Sequence, residues 1–394
     1  MSSKSLPQLS HIAAGFTAVV VGYSSAVVLV IEAAKASGAT PSMIVSWLLV
    51  LGLGMGITCI GFSWLYKVPV VTAWSTPGAA FLIGAVGGFS LAEIIGAFVT
   101  AALLAFIAAR SKALTSQIER IPPAVSSAML AGILLPICLG VFTDAAAHPI
   151  IVVSFIALYL LGSLFFPRYL MLVLLVVAMA VGLGSTGTNL DFAWNWPELE
   201  WVTPTFSVSA TISLAIPLFI ITLLSQNLPG IAILKSYDYH PDVRQILTGV
   251  SIVNLIAAPF GGFAFNLAAI TAAICMGENA GDDRNKRYKA AIMAGVGYLI
   301  FGVIASLVVY LFSQMPPVVV HLLAGLALLA TLQASLLRSM ENHDHRKAAL
   351  LTLLCSASGI TVAQLGAPVW GLFAGLCVLG LDKLYQKMHG KASA

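Results

Sequence analysis

The side chains best placed for chemistry are amides and hydroxyls that interrupt long apolar segments. Gln226 and Asn227 form the most polar adjacent pair in any such segment, and Pro229 and Gly230 follow them, where they loosen a helix. An amide surrounded by hydrocarbon needs a hydrogen-bond partner. The pair therefore either joins neighbouring helices or meets a polar ligand, and we favour contact with a ligand.

The stretch from Pro69 to Ala80 interrupts another apolar run and disfavours a continuous helix. Its first residues are largely β-branched or aromatic and favour extended backbone. Thr76 then has the chemistry of a helix N-cap, and Pro77 suits the first helical position because it has no N–H to lose. We predict a short extended piece that leads into a half-helix inside the bilayer, with Ser75 and Thr76 as candidate ligand contacts.

The stretch after Pro259 repeats this pattern, with two glycines and then Asn266 as the predicted N-cap of a second half-helix. Aligning Pro69 with Pro259 places Thr76 on Asn266 without a gap. Unwound backbone occurs at membrane depth only where it is buried in protein or lines a cavity. Two such breaks at corresponding places point to the substrate site of a transporter, and the half-helix N-termini favour an anion.

Rings and hydroxyls near the breaks complete the candidate site. Trp74 and Phe265 lie in the two breaks, and Tyr23 and Ser24 lie in a polar cluster within the first apolar segment. Buried aromatic residues usually serve packing alone, so stacking on a ligand is one of two interpretations for each ring.

Two titratable residues, Glu93 and His321, are candidates for proton coupling. Ser90 and Glu93 have the spacing of a capping box, which we favour over a proton-carrying role for Glu93. His321 lies four residues into an apolar segment, where packing is the competing interpretation. Neither break contains a carboxylate, and no cluster of His, Asp or Glu suits a metal or a nucleophile–base pair, so we expect no cofactor, no metal and no enzymatic activity.

The composition is that of a polytopic α-helical membrane protein. Hydrophobic residues make up 59% of the 394 residues and charged residues only 9%, with a mean hydropathy of +0.99. Soluble domains carry about 25% charged residues. The bilayer is therefore an expected partner, and nothing in the sequence suggests binding to nucleic acid.

Fourteen apolar segments are long enough to span the membrane, or to span it with a break. They cover residues 12–34, 41–63, 69–87, 91–109, 122–142, 149–166, 169–187, 209–233, 243–259, 260–276, 290–313, 317–337, 347–365 and 367–386. With this count and a cytoplasmic N-terminus, 18 of the 19 Lys and Arg residues fall on the cytoplasmic side, and only Lys35 falls outside. We therefore expect both termini in the cytoplasm.

An internal repeat relates the two halves of the chain. The segment after Pro122 matches the segment after Pro316 with a one-residue slip, and these are the fifth and twelfth spans. The broken spans are the third and tenth, so both pairs lie seven spans apart. Because seven is odd, the halves must be inverted relative to each other. We predict inverted repeats over residues 1–187 and 209–394, as expected of a secondary transporter.

Four motifs give the chain a family resemblance over nearly its whole length. They are Thr72 to Ala80, Met129 to Leu135, Ser225 to Gly230 and Ala268 to Cys275. With them the sequence resembles the benzoate:proton symporter (BenE) family. The resemblance implies the 7+7 inverted-repeat fold of the nucleobase permeases and sulfate-type anion carriers. It also implies a core domain from 12–110 and 209–313, and a gate domain from 121–187 and 315–386.

One departure from the nucleobase permeases bears on the substrate. Those relatives carry substrate-binding glutamates in the eighth and tenth spans, and the eighth-span position corresponds to Gln226 here. Nucleobase ring N–H donors need carboxylate acceptors, whereas an amide can donate to an anion. The resemblance therefore implies an anionic substrate.

The expected function is import of an aromatic carboxylate, most simply benzoate, together with a proton across a bacterial inner membrane. Carriers of nucleobases or inorganic anions with the same fold, a passive channel and an intramembrane enzyme are the alternatives. A homodimer is left open.

Overall fold

The computed structural model describes residues 8–111, 122–186, 194–363 and 365–389. The first half contains α1 (Leu9–Ala36), α2 (Pro41–Tyr66), β1 (Thr72–Trp74), α3 (Thr76–Ala85), α4 (Leu91–Arg110), α5 (Pro123–Thr143), α6 (Pro149–Phe165) and α7 (Leu170–Thr186). The second half contains α8 (Val208–Ser236), α9 (Val243–Ala257), β2 (Phe265–Leu267), α10 (Ile270–Met276), α11 (Tyr288–Val303), α12 (Ala305–Ser313), α13 (Pro317–Glu341), α14 (Arg346–Ala357), β3 (Thr361–Val362), β4 (Leu365–Gly366) and α15 (Ala367–His389).

The helices have the lengths and compositions of membrane spans. Within the described residues, seven are long and apolar enough to cross a bilayer, and α11 with α12 forms an eighth candidate that bends by 60°. Four shorter apolar helices, α3, α6, α7 and α15, accompany them. The structure thus confirms an all-α polytopic membrane protein.

The two predicted breaks are extended, and they pair with each other. β1 and β2 form an antiparallel ribbon in which Thr72 lies opposite Leu267, Ala73 opposite Asn266, and Trp74 opposite Phe265. Each strand leads into a short helix, α3 after β1 and α10 after β2. The ribbon brings residues from the two halves of the sequence together at the centre of the protein.

Both predicted N-caps need correction. Ser75, not Thr76, caps α3: its hydroxyl accepts a hydrogen bond from the Gly78 N–H at 3.0 Å. Asn266 lies within β2, and α10 begins only at Ile270, without a side-chain cap.

The register error at Asn266 has a local cause. Pro259 belongs to a 3-10 turn over Ala258–Phe260 that extends α9, and Gly261 follows with φ at 93°. This turn delays β2, which begins six residues after Pro259, whereas β1 begins three residues after Pro69. Aligning the two prolines therefore misplaces the second break by three residues.

Asparagine side chains satisfy the outer edge of β2. The Asn254 side chain accepts from the Phe265 N–H at 2.7 Å and donates to the Phe265 carbonyl at 3.2 Å. Asn227 Oδ1 accepts from the Leu267 N–H at 2.9 Å. Since lipid offers no hydrogen bonds, these amides from α9 and α8 replace the third strand that β2 lacks.

Sulfur atoms of α2 serve the outer edge of β1. The Thr72 N–H donates to Cys59 Sγ at 3.2 Å, and the Trp74 N–H donates to Met55 Sδ at 3.1 Å. The hydroxyls of Thr58 and Thr72 lie 2.6 Å apart. These contacts account for the buried Thr58, Cys59 and Met55 side chains of α2, and Cys59 is a free thiol.

Small residues let α2 and α11 approach closely. A Cβ added at Gly52 would lie 2.7 Å from the Gly302 Cα and 2.8 Å from the Tyr298 carbonyl oxygen. One turn further along α2, a Cβ at Gly56 would lie 3.0 Å from the Gly295 carbonyl oxygen. In a bilayer no hydrophobic force drives helices together, because lipid tails are as apolar as the side chains. Helices therefore associate through close packing of this kind.

We expect Gly52→Ala to destabilise the protein, because backbone atoms of α11 would have to move. Overpacking of this kind costs about 1–3 kcal/mol. Gly61→Ala is the matched control, since a Cβ at Gly61 in the same helix meets nothing within 4 Å. Thermal unfolding of both purified variants in detergent measures the difference, and equal melting temperatures would contradict the close approach of α2 and α11.

Candidate functional site

A cavity of about 230 Å³ lies beside the ribbon, among α1, α3, α8, α10 and α11. Its polar lining consists of amide and hydroxyl side chains, namely Ser25, Thr76, Ser225, Gln226, Thr271 and Tyr298. Trp74 and Ala268 contribute apolar surface, and none of the lining residues is acidic or basic. The lining therefore carries no charged side chain. The hydroxyls of Ser25 and Ser225 donate to the Gly22 and Ile221 carbonyls of their own helices, whereas no such bond among the described residues engages Gln226 or Thr76, so both keep donors for a ligand.

Gln226 presents an amide without a protein partner among the described residues. It lies in a π-helical turn of α8 over Leu223–Asn227. Pro229 explains the wide turn, because it has no N–H to offer the carbonyl of Ser225 and its ring would clash with that carbonyl in a regular helix. The half-buried side chain of Gln226 lines the cavity, where its NH2 group has two donors available.

Gln226 also lies at the junction with a second cavity, of about 280 Å³, between α5, α8 and α13. Ser225 and Gln226 line both cavities. The second cavity extends to Arg338 near the end of α13, which the charge pattern assigns to the cytoplasmic side. The two cavities thus meet at Ser225 and Gln226, with the ribbon on one side and Arg338 on the other.

The adjacent amide, Asn227, has a different position. It is buried, and its Oδ1 holds the Leu267 N–H, so it does not line the 230 Å³ cavity. The wide π turn separates the two amides, with Gln226 toward the cavity and Asn227 toward β2. Of the predicted pair, the structure places Gln226 alone at the cavity.

The two hydroxyl residues at the start of α3, Ser75 and Thr76, also take different positions. The Ser75 hydroxyl is buried and engaged as the N-cap, and the Thr222 hydroxyl lies 3.4 Å from it. Thr76 is half-buried and lines the cavity. Thr76, rather than Ser75, is therefore the residue of this pair that faces the cavity.

The start of α10 faces the cavity with backbone rather than with the predicted asparagine. Ile270 and Thr271 are the first residues of the helix and line the cavity. Their N–H groups have no carbonyl partner within the helix, as is general for the first turn. Asn266 is fully buried in β2 and does not line the cavity. Its Nδ2 donates to the Leu267 carbonyl at 3.1 Å, and its Oδ1 has no partner among the described residues.

Among the predicted rings, Trp74 alone lines the cavity. Tyr23 packs behind it, with ring centroids 5.1 Å apart, and stacks on Phe301 at 4.3 Å. The Phe265 ring packs against Gly54 of α2 and lines a different cavity. Ser24, next to Tyr23, is buried and bonds the Val21 carbonyl.

Neither proton-coupling candidate reaches the cavity. Glu93 completes the predicted capping box: its Oε2 accepts from the Ser90 N–H at 2.9 Å, and the Ser90 hydroxyl accepts from the Glu93 N–H at 3.3 Å. His321 Nδ1 lies 3.0 Å from Asp144 Oδ2, which joins the start of α13 to the end of α5. The capping interpretation of Glu93 is confirmed.

Four polar lining residues were not among the predicted contacts. Ser25 and Ser225 lie within motifs that the sequence marks, so polarity inside a span was the available signal. Thr271 lies within the motif from Ala268 to Cys275, whereas Tyr298 had no such signal, because hydroxyls are common in apolar helices. Chemically, the set suits a small anion that accepts hydrogen bonds, and the described residues contain no group that could hold a metal ion.

Comparison with known proteins agrees with this description. The family model of BenE, the benzoate membrane transport protein, matches residues 5–381. The inner membrane protein YdcO of Escherichia coli K12 is 35% identical over 376 residues, covering 95% of this chain and 96% of the relative. The benzoate membrane transport protein of Acinetobacter baylyi is 37% identical over 371 residues, covering 93% and 94%.

Solved structures show the same fold at low identity. The transmembrane domain of the cyanobacterial bicarbonate transporter BicA superposes with a TM-score of 0.59 at 17% identity, covering 93% of this chain and 97% of that one. The murine Solute Carrier 26 family member A9 anion transporter gives 0.59 at 14% identity, covering 98% and 69%. Fold, paired breaks and sequence agree: this chain is a membrane transporter of the BenE family, not an enzyme.

Proposed function

We propose that this transporter imports an aromatic carboxylate, with benzoate as the leading candidate, together with a proton. The observation that carries the proposal is the unpartnered amide of Gln226 in a cavity without charged lining residues. A carboxylate accepts hydrogen bonds and supplies none, so a site with free donors and no carboxylate suits it. The name of the Acinetobacter relative points to the same substrate.

The size and the surface of the cavity support a ligand with one ring. Drug-sized ligands occupy pockets of about 300–1,000 Å³, and this cavity, of about 230 Å³, is smaller. In the proposed pose the carboxylate accepts from Gln226, Thr76 and the first N–H groups of α10. The ring lies against Trp74 and Ala268, which supply the apolar part of the lining.

The proposed architecture has fourteen spans in two inverted repeats. The long helices, the bent pair and the shorter apolar helices, together with α10 and α14, correspond one to one with the fourteen apolar segments. In the repeats, β1 with α3 is the counterpart of β2 with α10. The two ribbon strands come from residues 1–187 and 209–394, as an inverted repeat requires.

Helix packing supports a division into core and gate domains. α1 and α2 pack on α11, and α4 packs on α9, within the proposed core. α5 packs on α13 and α14, and α14 packs on α15, within the proposed gate. The 280 Å³ cavity lies between α8 of the core and α5 and α13 of the gate, so relative movement of the domains would open or close it.

We place the protein in the bacterial inner membrane with both termini in the cytoplasm, as the charge pattern predicts and as the name of the Escherichia coli relative supports. The homodimer stays a prediction. Transport by alternating access then delivers the substrate through the 280 Å³ cavity toward Arg338.

Proton coupling follows from charge balance. Benzoate is an anion near neutral pH, and moving one charge against the membrane potential costs about 2.3 kcal/mol per 100 mV. One proton per anion removes that cost. Because Glu93 is engaged in its capping box and His321 pairs with Asp144 outside the cavity, we favour a proton that joins the substrate carboxylate only after the anion has bound.

We expect Gln226→Glu to lower substrate affinity near neutral pH by about tenfold or more, which corresponds to about 1.4 kcal/mol or more. The introduced carboxylate would face the carboxylate of the substrate in a poorly screened site, and like charges repel. Binding of benzoate to the purified variant measures the effect. Gln314→Glu is the control, since it makes the same chemical change outside the cavity.

Asn227→Ala provides a further contrast, because it should lower thermal stability by leaving the buried Leu267 N–H unsatisfied. A buried unsatisfied donor costs about 1–3 kcal/mol. For the first variant, benzoate binding by Gln226→Glu as tight as that of the wild type would show that Gln226 does not contact the substrate.

We expect uptake into proteoliposomes to rise with an inward proton gradient and to respond little to a membrane potential imposed at equal pH. One anion and one proton carry no net charge, so the potential does no work on the cycle. Radiolabelled benzoate uptake under the two separate driving forces makes the measurement. A strong response to potential alone would exclude electroneutral transport, and full proton-driven accumulation by Glu93→Gln would clear Glu93 as the proton carrier.

A further inference from the structure

A third cavity is larger than the one beside Gln226. It has a volume of about 390 Å³ and lies between α4, α8 and α9. Its wall on α4 is a single helix face of alanines, Ala101, Ala102, Ala105, Ala108 and Ala109. We call this space the alanine cleft.

The alanine cleft has the length of one membrane leaflet. On α9 its lining runs from Val243 to Asn254, eleven residues of helix or about 16.5 Å at 1.5 Å per residue. The hydrocarbon core of a bilayer is about 30 Å thick, so a leaflet contributes about 15 Å. Asn254 holds β2, so one end of the cleft lies at the level of the ribbon, and in the proposed orientation the Arg244 end lies near the membrane surface.

The inner end of the alanine cleft offers few free polar groups to a solute. Asn227 and Asn254 line it: Asn254 uses both its amide oxygen and its amide nitrogen on Phe265, and Asn227 Oδ1 accepts from the Leu267 N–H. The Ser251 hydroxyl bonds the Leu247 carbonyl at 2.8 Å, and the Thr222 hydroxyl faces Ser75. A charged occupant would find no charged partner there, and the lining is mostly Ala, Leu, Ile, Val and Phe, so we infer an occupant that is apolar along most of its length.

The outer end of the alanine cleft is positively charged. Arg244 lines it, is exposed, and forms no ion pair among the described residues. Arg110 ends α4 one residue beyond the lining residue Ala109. Both arginines lie on the side that the charge pattern assigns to the cytoplasm, so the end of the cleft suits an anionic group at the membrane surface.

We propose that the alanine cleft binds an anionic phospholipid of the cytoplasmic leaflet. One acyl chain lies along the alanine face of α4, and the phosphate lies beside Arg244. The assignment uses the membrane orientation proposed above, and it does not depend on which substrate is transported.

The bound lipid would act on the ribbon from the side opposite the substrate. The acyl chain ends against Asn227, Asn254 and Phe265, which fix the position of β2. Filling this space favours the arrangement in which both asparagines hold the strand. Anionic phospholipid should therefore stabilise the protein against unfolding more than a zwitterionic lipid with the same chains does.

The test uses the purified full-length protein in detergent, supplied with phosphatidylglycerol or with phosphatidylcholine of identical acyl chains. Native mass spectrometry measures the lipid retained, and thermal unfolding measures stabilisation. For the wild type we expect preferential retention of phosphatidylglycerol and a higher melting temperature with it. Arg244→Gln should weaken phosphatidylglycerol retention about fivefold, since one basic residue near the surface contributes about 1 kcal/mol.

Two further variants separate the cleft from general charge effects. Arg168→Gln removes an arginine of the α6–α7 loop, outside the lining of the alanine cleft, and should retain the lipid as the wild type does. Ala105→Leu narrows the cleft without changing charge and should reduce retention of both lipids. Equal loss in the two arginine variants, or wild-type retention in both Arg244→Gln and Ala105→Leu, would overturn the proposal. Inorganic phosphate without acyl chains should not raise the melting temperature.

Discussion

The constraint on which the structure depends is that backbone hydrogen bonds at membrane depth must be completed by protein. A ribbon of two short strands has two outer edges, and lipid satisfies neither. Here α9 and α8 supply amides to the edge of β2, and α2 supplies sulfur atoms to the edge of β1. These side chains allow the chain to leave the helical conformation at β1 and β2. Because the chain is extended there, helices α3 and α10 begin beside the cavity.

The same constraint divides the polar side chains into two groups. Asn227, Asn254 and Ser75 are buried and engaged with backbone, so they build the frame. Gln226 directly precedes Asn227 in sequence and Thr76 directly follows Ser75, yet Gln226 and Thr76 line the cavity. The π turn in α8 and the start of helix α3 direct neighbouring residues to different places. One residue of each pair bonds to backbone, and the other lines the cavity.

Much of this arrangement follows from the sequence, and the exceptions have physical causes. Pro69, the β-branched residues after it, and Thr76-Pro77 are local signals, so an extended segment here is predictable, and the N-cap of α3 is predictable to within one residue. At Asn266 the local signal fails, because a 3-10 turn extends α9 past Pro259. The partners of β2 lie 11 and 40 residues away, and no local pattern connects Asn254 or Asn227 with the strand that each one holds. Polarity marks Gln226 and Asn227 equally, so the direction of each side chain depends on the turn between them.

The asparagines that hold β2 are relevant to the engineering of this protein. A common route to higher expression of a membrane protein replaces polar residues within spans by apolar ones, on the reasoning that hydropathy favours insertion. Asn227 and Asn254 would be among the first positions such a scheme selects, and the gain in hydropathy would come with loss of the bonds that hold the strand. In redesign of this chain, the two asparagines should be kept while exposed apolar positions are varied.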